Sequence, residues 1–257
     1  TCGAIKEGLR GLEKDLGFFV AGGKGATSRK TPEEITRFGN RFSINANPLI
    51  YASKMSAKVD NTALQDGYQL YHHAFFFTKT GKWAVVQQGM NEETRWARRY
   101  HWLSDKVSDF VCEPEAGIIS DRFGKPLNMV ASEASKARAA SAELSRELPE
   151  KVIKEFKKIQ NLDLPSRHGI KTFSDIRPEN LEKILLKTYE RIPENFEALL
   201  SIEGVGPKTI RALALISELV YGTKLSWRDP ARYSFAHGGK DGHPYPVDRA
   251  TYDRSIE

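Results

Sequence analysis

Cysteine is nearly absent from this chain of 257 residues, which contains only Cys2 and Cys112. Two cysteines so far apart in sequence provide neither a disulfide framework nor the paired spacing of a zinc site. No apolar run approaches the roughly 18 residues that a membrane-spanning helix needs, and no secretory leader is visible. These absences argue against a disulfide-stapled secreted module and a helical membrane protein, and they predict a cytoplasmic protein.

The charge balance is positive, with 39 Lys and Arg against 33 Asp and Glu and a formal net charge of +6. The hydrophobic share of 40% and the charged share of 28% are those of an ordinary globular protein. An excess of positive charge favours association with polyanions but carries no information about the fold. Nucleic acid is therefore the partner that the composition favours.

The sequence changes character near residue 130. Residues 1–130 mix helical and strand patterns, including a helix start at Thr31-Pro32 and a β-hairpin predicted around Thr80-Gly81. Residues 131–257 are nearly all helix and turn, with a polar loop at 223–249. We therefore predict an α+β fold, in which a mixed α/β domain (1–130) precedes an all-helical domain (131–257).

The stretch "LLSIEGVGPKTIRALALISEL", residues 199–219, predicts two helices joined by a tight turn. Glycine permits backbone angles that other residues avoid, Val205 is placed to turn inward, and proline suits the first turn of the next helix. That helix N-terminus offers free N–H groups to a phosphate oxygen without reading base sequence. The residues predicted to contact DNA are Gly204, Val205, Gly206, Lys208, Thr209, Arg211, Lys240 and Arg249.

This segment resembles the helix-hairpin-helix superfamily of nucleic-acid-binding proteins. "GVGPKT" is also similar to the hairpin of base-excision glycosylases of the endonuclease III type, and that resemblance implies a catalytic pair of Lys208 and Asp248. The lysine would form a Schiff base with the sugar, assisted by the aspartate. The two residues lie much farther apart in sequence here than in that family, and purely binding hairpins also carry a lysine. Lys208 is thus predicted either to contact phosphate or to act as a nucleophile.

A second candidate site lies in the N-terminal part. Its polar residues form what we call the alternative cluster: Asp60, Gln65, Asp66, His72, Gln88 and His101. Such groups could hold a divalent metal for hydrolysis, or they could form a satisfied polar network. Because neighbouring residues on a strand point to opposite faces, at most one of His72 and His73 belongs to any single site.

Taken whole, the chain resembles the domain-of-unknown-function family numbered 763. The segments that carry the resemblance cover essentially the whole chain and include "CGAIKEGL", "FVAGGKGATSRKTP", "KVDNTALQDGYQLYHH", "WAVVQQGMN", "ARRYHW" and "HGGKDGHPYPVDR". Members of that family extend further at both ends, so we expect this chain to be truncated. The resemblance itself implies no activity.

The sequence therefore predicts a DNA-binding protein that processes DNA in repair, as a base-excision glycosylase/lyase or a strand-cleaving enzyme. One alternative is a metal-dependent, structure-specific nuclease in which the alternative cluster is catalytic. Another is a non-enzymatic DNA-binding adaptor, and a third takes Thr1 as an N-terminal nucleophile. No cofactor is predicted except a divalent metal under the nuclease hypothesis.

Overall fold

A computed structural model of the protein describes residues 1–160 and 175–232, and the chain there has an α+β architecture, as predicted. The N-terminal part is built around an antiparallel sheet in the order β1-β3-β4-β5-β6. Its strands are β1 (Phe18–Lys24), β3 (Gln69–Thr78), β4 (Trp83–Met90), β5 (Ala97–Leu103) and β6 (Gly117–Ile119). A small second sheet pairs β2 (Leu64–Gln65) with β7 (Leu127–Asn128).

The helices of the N-terminal part lie before and between these strands. They are α1 (Cys2–Gly8), α2 (Glu13–Leu16), α3 (Ala26–Arg29), α4 (Thr31–Phe42) and α5 (Ala46–Lys58), and α5 continues into a π-helix (Val59–Ala63). Short 3-10 turns cover Ser104–Lys106 and Ser132–Ala134. α1 and α2 are separate helices, and Gly11 adopts φ +88° in the turn between them.

One face of the large sheet is buried against α4 and α5. Side chains alternate along each strand, and Phe75, Phe77, Val85 and Trp102 on the inner face are at most 2% exposed. The predicted hairpin is confirmed: β3 and β4 pair around Gly81, which adopts φ +84° in the turn. The run of aromatic residues in β3 therefore forms the wall of the core.

The C-terminal part is helical where it is described. It contains α6 (Ser135–Leu144), α7 (Pro149–Gln160), α8 (Pro178–Arg191), α9 (Phe196–Ser201) and α10 (Pro207–Tyr221). Ile210, Leu213 and Ile216 of α10 are fully buried, and the alanines between them are buried as well. A helix that is apolar on nearly all sides belongs in the centre of a fold, and α10 packs against α6, α7 and α8.

A single hydrophobic core runs through both parts of the chain, from Phe75 in the sheet to Leu213 in α10. After α10 the chain returns to the sheet as an extended strap, residues 223–232. Asn128 donates its backbone N–H to the carbonyl of Ser226 at 2.9 Å, and Arg232 donates to that of Ile118 at 3.1 Å. The composition change near residue 130 thus marks a change of secondary structure within one core, and the division into two domains stays a prediction.

Candidate nucleic-acid interface

The predicted hairpin turn consists of residues 202–206 and connects α9 to α10. Val205 is 1% exposed and is part of the core, as its position in the motif predicted. Gly204 adopts φ +93°, and a Cβ there would stand 2.8 Å from Cδ1 of Ile184 in α8. Backbone angle and space both require glycine at position 204.

Gly206 plays a different role from Gly204. It is the N-cap of α10 with φ −131°, an extended conformation open to any residue, so the strain expected at this glycine is not found. A Cβ on Gly206 would meet nothing closer than the Gly204 carbonyl oxygen at 3.9 Å. Since no side chain caps α10, the amides of its first turn face open space, where the helix dipole favours an anion.

The turn is held from the N-terminal part by Lys58, at the end of α5. Its Nζ donates to the carbonyl of Val205 at 2.5 Å and to that of Ile202 at 3.4 Å. Burial lowers the pKa of this ammonium, and the nearby charge of Glu203 opposes that effect. Gln65 adds a second contact, in which Nε2 donates to the Pro207 carbonyl at 2.8 Å.

An open groove of about 900 Å³ lies beside the hairpin turn. Its walls include Lys208, Thr209 and Arg211 from α10 together with Arg177 and Asp175 from the start of α8. Both Oδ atoms of Asp175 accept from Arg211 Nη2 at 2.6 Å, and the Asp175 carbonyl accepts from Lys208 Nζ at 2.5 Å. A carboxylate thus occupies the place between the two cations.

Several polar groups in the groove have no partner among the described residues. Thr209 is 5% exposed, lines the groove, and its hydroxyl makes no hydrogen bond there. Nε of Arg211 is shielded from solvent and has no acceptor. The N-terminus of α8, with Pro178 in its first turn and no side-chain cap, opens on the same groove. Two helix N-termini therefore open on the same groove, where their dipoles favour an anion.

The alternative cluster is not brought together by the fold. The side chains of Asp60 and Asp66 are both buried on the inner face of the sheet, where they bond Trp102 and Tyr100 of β5, and Gln65 contacts the hairpin turn. His72, Gln88 and His101 lie on the opposite face of the sheet, half-buried in neighbouring strands. The prediction that His72 and His73 point to opposite faces is confirmed, because His73 is buried in the core network.

Asp60 ends a chain of buried hydrogen bonds that sequence reasoning missed. Ser53 Oγ lies 2.9 Å from His73 Nε2, His73 Nδ1 lies 2.8 Å from Gln87 Oε1, and Gln87 Nε2 donates to Asp60. The order of serine, histidine and acid suggests a nucleophile, but the Ser53 residue is only 2% exposed. A hydroxyl sealed in the core has no access to substrate, so this chain stabilises the fold.

The carboxyl groups of Asp60 and Glu115 form a pair. Asp60 Oδ1 and Glu115 Oε1 are both shielded from solvent, and each has no other partner in the described residues. Burial raises the pKa of both groups, and the charge of Glu115 raises that of Asp60 further. The raised pKa values favour a state in which the pair holds a proton.

Asp66 belongs to an ion network with Arg98, Tyr100 and Asp229. Arg98 is 2% exposed and contacts Asp66 at 3.0 Å and Asp229 at 2.9 Å, while the Tyr100 hydroxyl donates to Asp66 at 2.7 Å. Because Asp229 lies in the strap, this network fastens the C-terminal part to the sheet. Removing one member of a buried pair costs several kcal/mol, roughly 3–5.

His72, Gln88 and His101 make no hydrogen bond to the residues that the structure describes. Burial and then nearby positive charges, including those of Lys24 and Arg99, lower the pKa of His72 to about 4. Burial also lowers the pKa of His101. Both imidazoles are consequently neutral at physiological pH.

Some predicted site residues fall outside the described ranges 1–160 and 175–232. They are Asp248, Lys240 and Arg249, with the remainder of the polar loop from residue 233. Residues 223–232 of that loop contain neither helix nor strand, as predicted. Within the described ranges, no three His, Cys, Asp or Glu side chains are arranged to hold a metal, and no helix is long and apolar enough to cross a membrane.

Comparison with known proteins gives one match. The model of the family described as "Protein of unknown function (DUF763)" matches residues 1–247. No curated protein and no solved structure matches the chain.

Proposed function

The chain belongs to the DUF763 family, and we propose that it binds nucleic acid, in the first instance DNA, through the N-terminus of α10. The observation that carries this proposal is the uncapped first turn of α10, which opens on a groove beside Lys208 and Arg211. Amides and cations arranged in this way bind a phosphate and are indifferent to base sequence. The net charge of +6 supports the same class of partner.

The surroundings of Lys208 support a phosphate contact more than a nucleophile. A lysine that forms a Schiff base must lose its proton, which requires desolvation or a neighbouring cation. The Lys208 side chain is 61% exposed, and its Nζ lies 3.6 Å from the Asp175 carboxylate. An exposed lysine beside a carboxylate lacks the desolvated setting of a Schiff-base lysine, and its position suits a contact to phosphate.

We further propose that the protein processes DNA in repair. For the glycosylase/lyase form, Asp248 would have to approach Lys208, and Asp248 lies outside the described residues. For the nuclease form, the histidines of the alternative cluster lie on the face of the sheet opposite to Asp60 and Asp66. This separation favours a binding role over either chemistry. A non-enzymatic adaptor would have the same binding role.

The first prediction concerns the cations of the groove. Lys208→Gln should weaken binding of a labelled DNA duplex and reduce the slope of log affinity against log salt by about one unit, because one phosphate contact is lost. Asp175→Asn should strengthen binding, since the carboxylate no longer competes with phosphate for Arg211. Fluorescence anisotropy at several salt concentrations measures both changes.

Lys151→Gln is the matched control for this experiment. Its side chain is also 61% exposed and also lies beside a carboxylate, that of Glu147, but Lys151 does not line the groove. Equal losses of DNA affinity for Lys208→Gln and Lys151→Gln would mean that general charge attraction, and not the groove, binds the DNA. Borohydride trapping on abasic DNA tests the lyase claim, because only a Schiff-base lysine becomes crosslinked.

A further inference from the structure

A smaller cavity of about 330 Å³ adjoins the groove, and we call it the side cavity. The two spaces share Gln69, Pro207 and Arg211 as wall residues, so one leads into the other. Further walls of the side cavity come from Asn61, Asp66, Tyr68, Lys125 and Trp227. Its volume lies at the lower end of small-ligand pockets, which range over roughly 300–1,000 Å³.

The chemistry of the side cavity differs from that of the groove. The groove concentrates cations and helix N-termini, whereas the side cavity combines aromatic rings with amide groups. Tyr68 is 8% exposed and the Arg98 guanidinium lies over its ring at 4.7 Å, so Trp227 is the ring left for a ligand. Neither the Tyr68 hydroxyl nor the Trp227 indole N–H has a hydrogen-bond partner among the described residues. The amide oxygen of Asn61 receives only a long bond of 3.4 Å from the Leu70 amide.

These unpaired groups match the needs of a nucleobase. A base has a flat face for aromatic contact and an edge of donors and acceptors, and both are exposed only when the base is unpaired and unstacked. A base pair within a duplex offers neither to a neighbouring protein surface. Buried or half-buried polar groups without partners are costly unless water or a ligand satisfies them.

We propose that the groove and the side cavity together bind one unpaired nucleotide, with its phosphate at the N-terminus of α10 and its base in the side cavity. This inference rests on the proposed function, because the groove must first bind the backbone. It adds the substrate class, which is nucleic acid with a single-stranded or extrahelical nucleotide. Arg211 lines both spaces and lies at the junction between phosphate and base.

The test uses the full chain and three labelled DNA duplexes. One is fully paired, one carries a single unpaired nucleotide, and one carries an abasic residue in place of that nucleotide. We expect the unpaired nucleotide to bind roughly 5- to 150-fold tighter than the paired duplex, the range that contact with one base supports. The abasic duplex should lose this gain, since it keeps the phosphate and lacks the base.

Variants of the side cavity assign the effect to this site. Trp227→Phe and Asn61→Ala should reduce the preference for the unpaired nucleotide and leave affinity for the paired duplex unchanged. Lys125→Ala should have the same effect as these two variants. Its side chain lines the side cavity and is exposed without a described partner, so its removal does not threaten folding. Lys208→Gln should instead weaken binding to all three duplexes alike.

The outcomes separate this inference from the proposed function. Equal affinity for the three duplexes would overturn the unpaired-nucleotide site and leave DNA binding intact. An abasic duplex that binds as tightly as the base-containing one would also overturn it, because flexibility and not the base would then be recognised. Binding to none of the duplexes would refute the proposed function, and the nucleotide site with it.

Discussion

Two glycines, two positions apart in the hairpin turn, have different structural roles. Gly204 needs its positive φ of +93° and lies against Ile184, whereas Gly206 has ordinary angles and faces open space. The motif predicted both glycines for conformational reasons, and only Gly204 meets that expectation. The absence of a side chain at position 206 leaves room for a phosphate at the N-terminus of α10.

The second prediction follows from this difference. Gly204→Ala should lower the free energy of unfolding by roughly 1–3 kcal/mol, because it adds backbone strain and a contact that is too close. Gly206→Ala should change stability by no more than about 1 kcal/mol, the cost of a poorer N-cap, and should weaken DNA binding several-fold through contact with phosphate. Urea unfolding and anisotropy measure the two effects. Unchanged DNA affinity in a folded Gly206→Ala protein would mean that the turn is only structural.

At the scale of elements, the end of α5 and the hairpin turn act together. Lys58 bridges two carbonyls of the turn, and the π-helix that follows leads directly to Gln65, which holds Pro207. π-helical segments often occur where a functional site requires a departure from regular geometry. The N-terminal part therefore positions the proposed phosphate site of the C-terminal part.

The third prediction tests this bridge. Lys58→Met should leave the carbonyl of Val205 without its donor, while the Ile202 carbonyl keeps the Val205 amide. We expect a cost of roughly 1–3 kcal/mol and a lower DNA affinity, because the turn loses its position. Hydrogen exchange of the first amides of α10 should also accelerate. Lys54→Met is the matched control, since Lys54 lies one turn earlier on α5, is exposed and has no partner in the described ranges. Full DNA affinity in a folded Lys58→Met protein would rule out the bridge as a positioning contact.

The sequence predicted those elements whose signals are local. The β3–β4 hairpin, the start of α4 at Thr31-Pro32 and the turn before α10 were all marked by glycine or proline beside a periodic pattern. Contacts between distant residues carried no such signal: Lys58 and Val205 are separated by 147 positions. The same holds for the alternative cluster, because its spacing in sequence did not reveal that His72, Gln88 and His101 lie on the face of the sheet opposite to Asp60.

At the scale of the whole molecule, buried titratable groups act on stability in opposite directions. Asp60 has a raised pKa, chiefly from burial, so the folded state binds its proton more readily than the unfolded chain does, and this group favours folding as the pH falls. His72 and His73 have lowered pKa values, again chiefly from burial. The folded state excludes their protons, and they oppose folding as the pH falls.

The last prediction isolates His72, whose pKa is lowered from 6.5 to about 4. The stability that neutral His72 contributes is fully present above pH 6.5. It is lost as the pH falls from 6.5 to about 4, because the unfolded chain takes up the proton first. The loss is at most about 3 kcal/mol, and solvent contact of this half-buried ring reduces it. His72→Gln should therefore flatten the dependence of unfolding free energy on pH between 6.5 and 4. Asp60, Asp66 and His73 are present in both proteins and cancel in the comparison. Urea unfolding at intervals from pH 8 to pH 4 gives the two curves, and parallel curves would show that the ring remains accessible to protons in the folded protein.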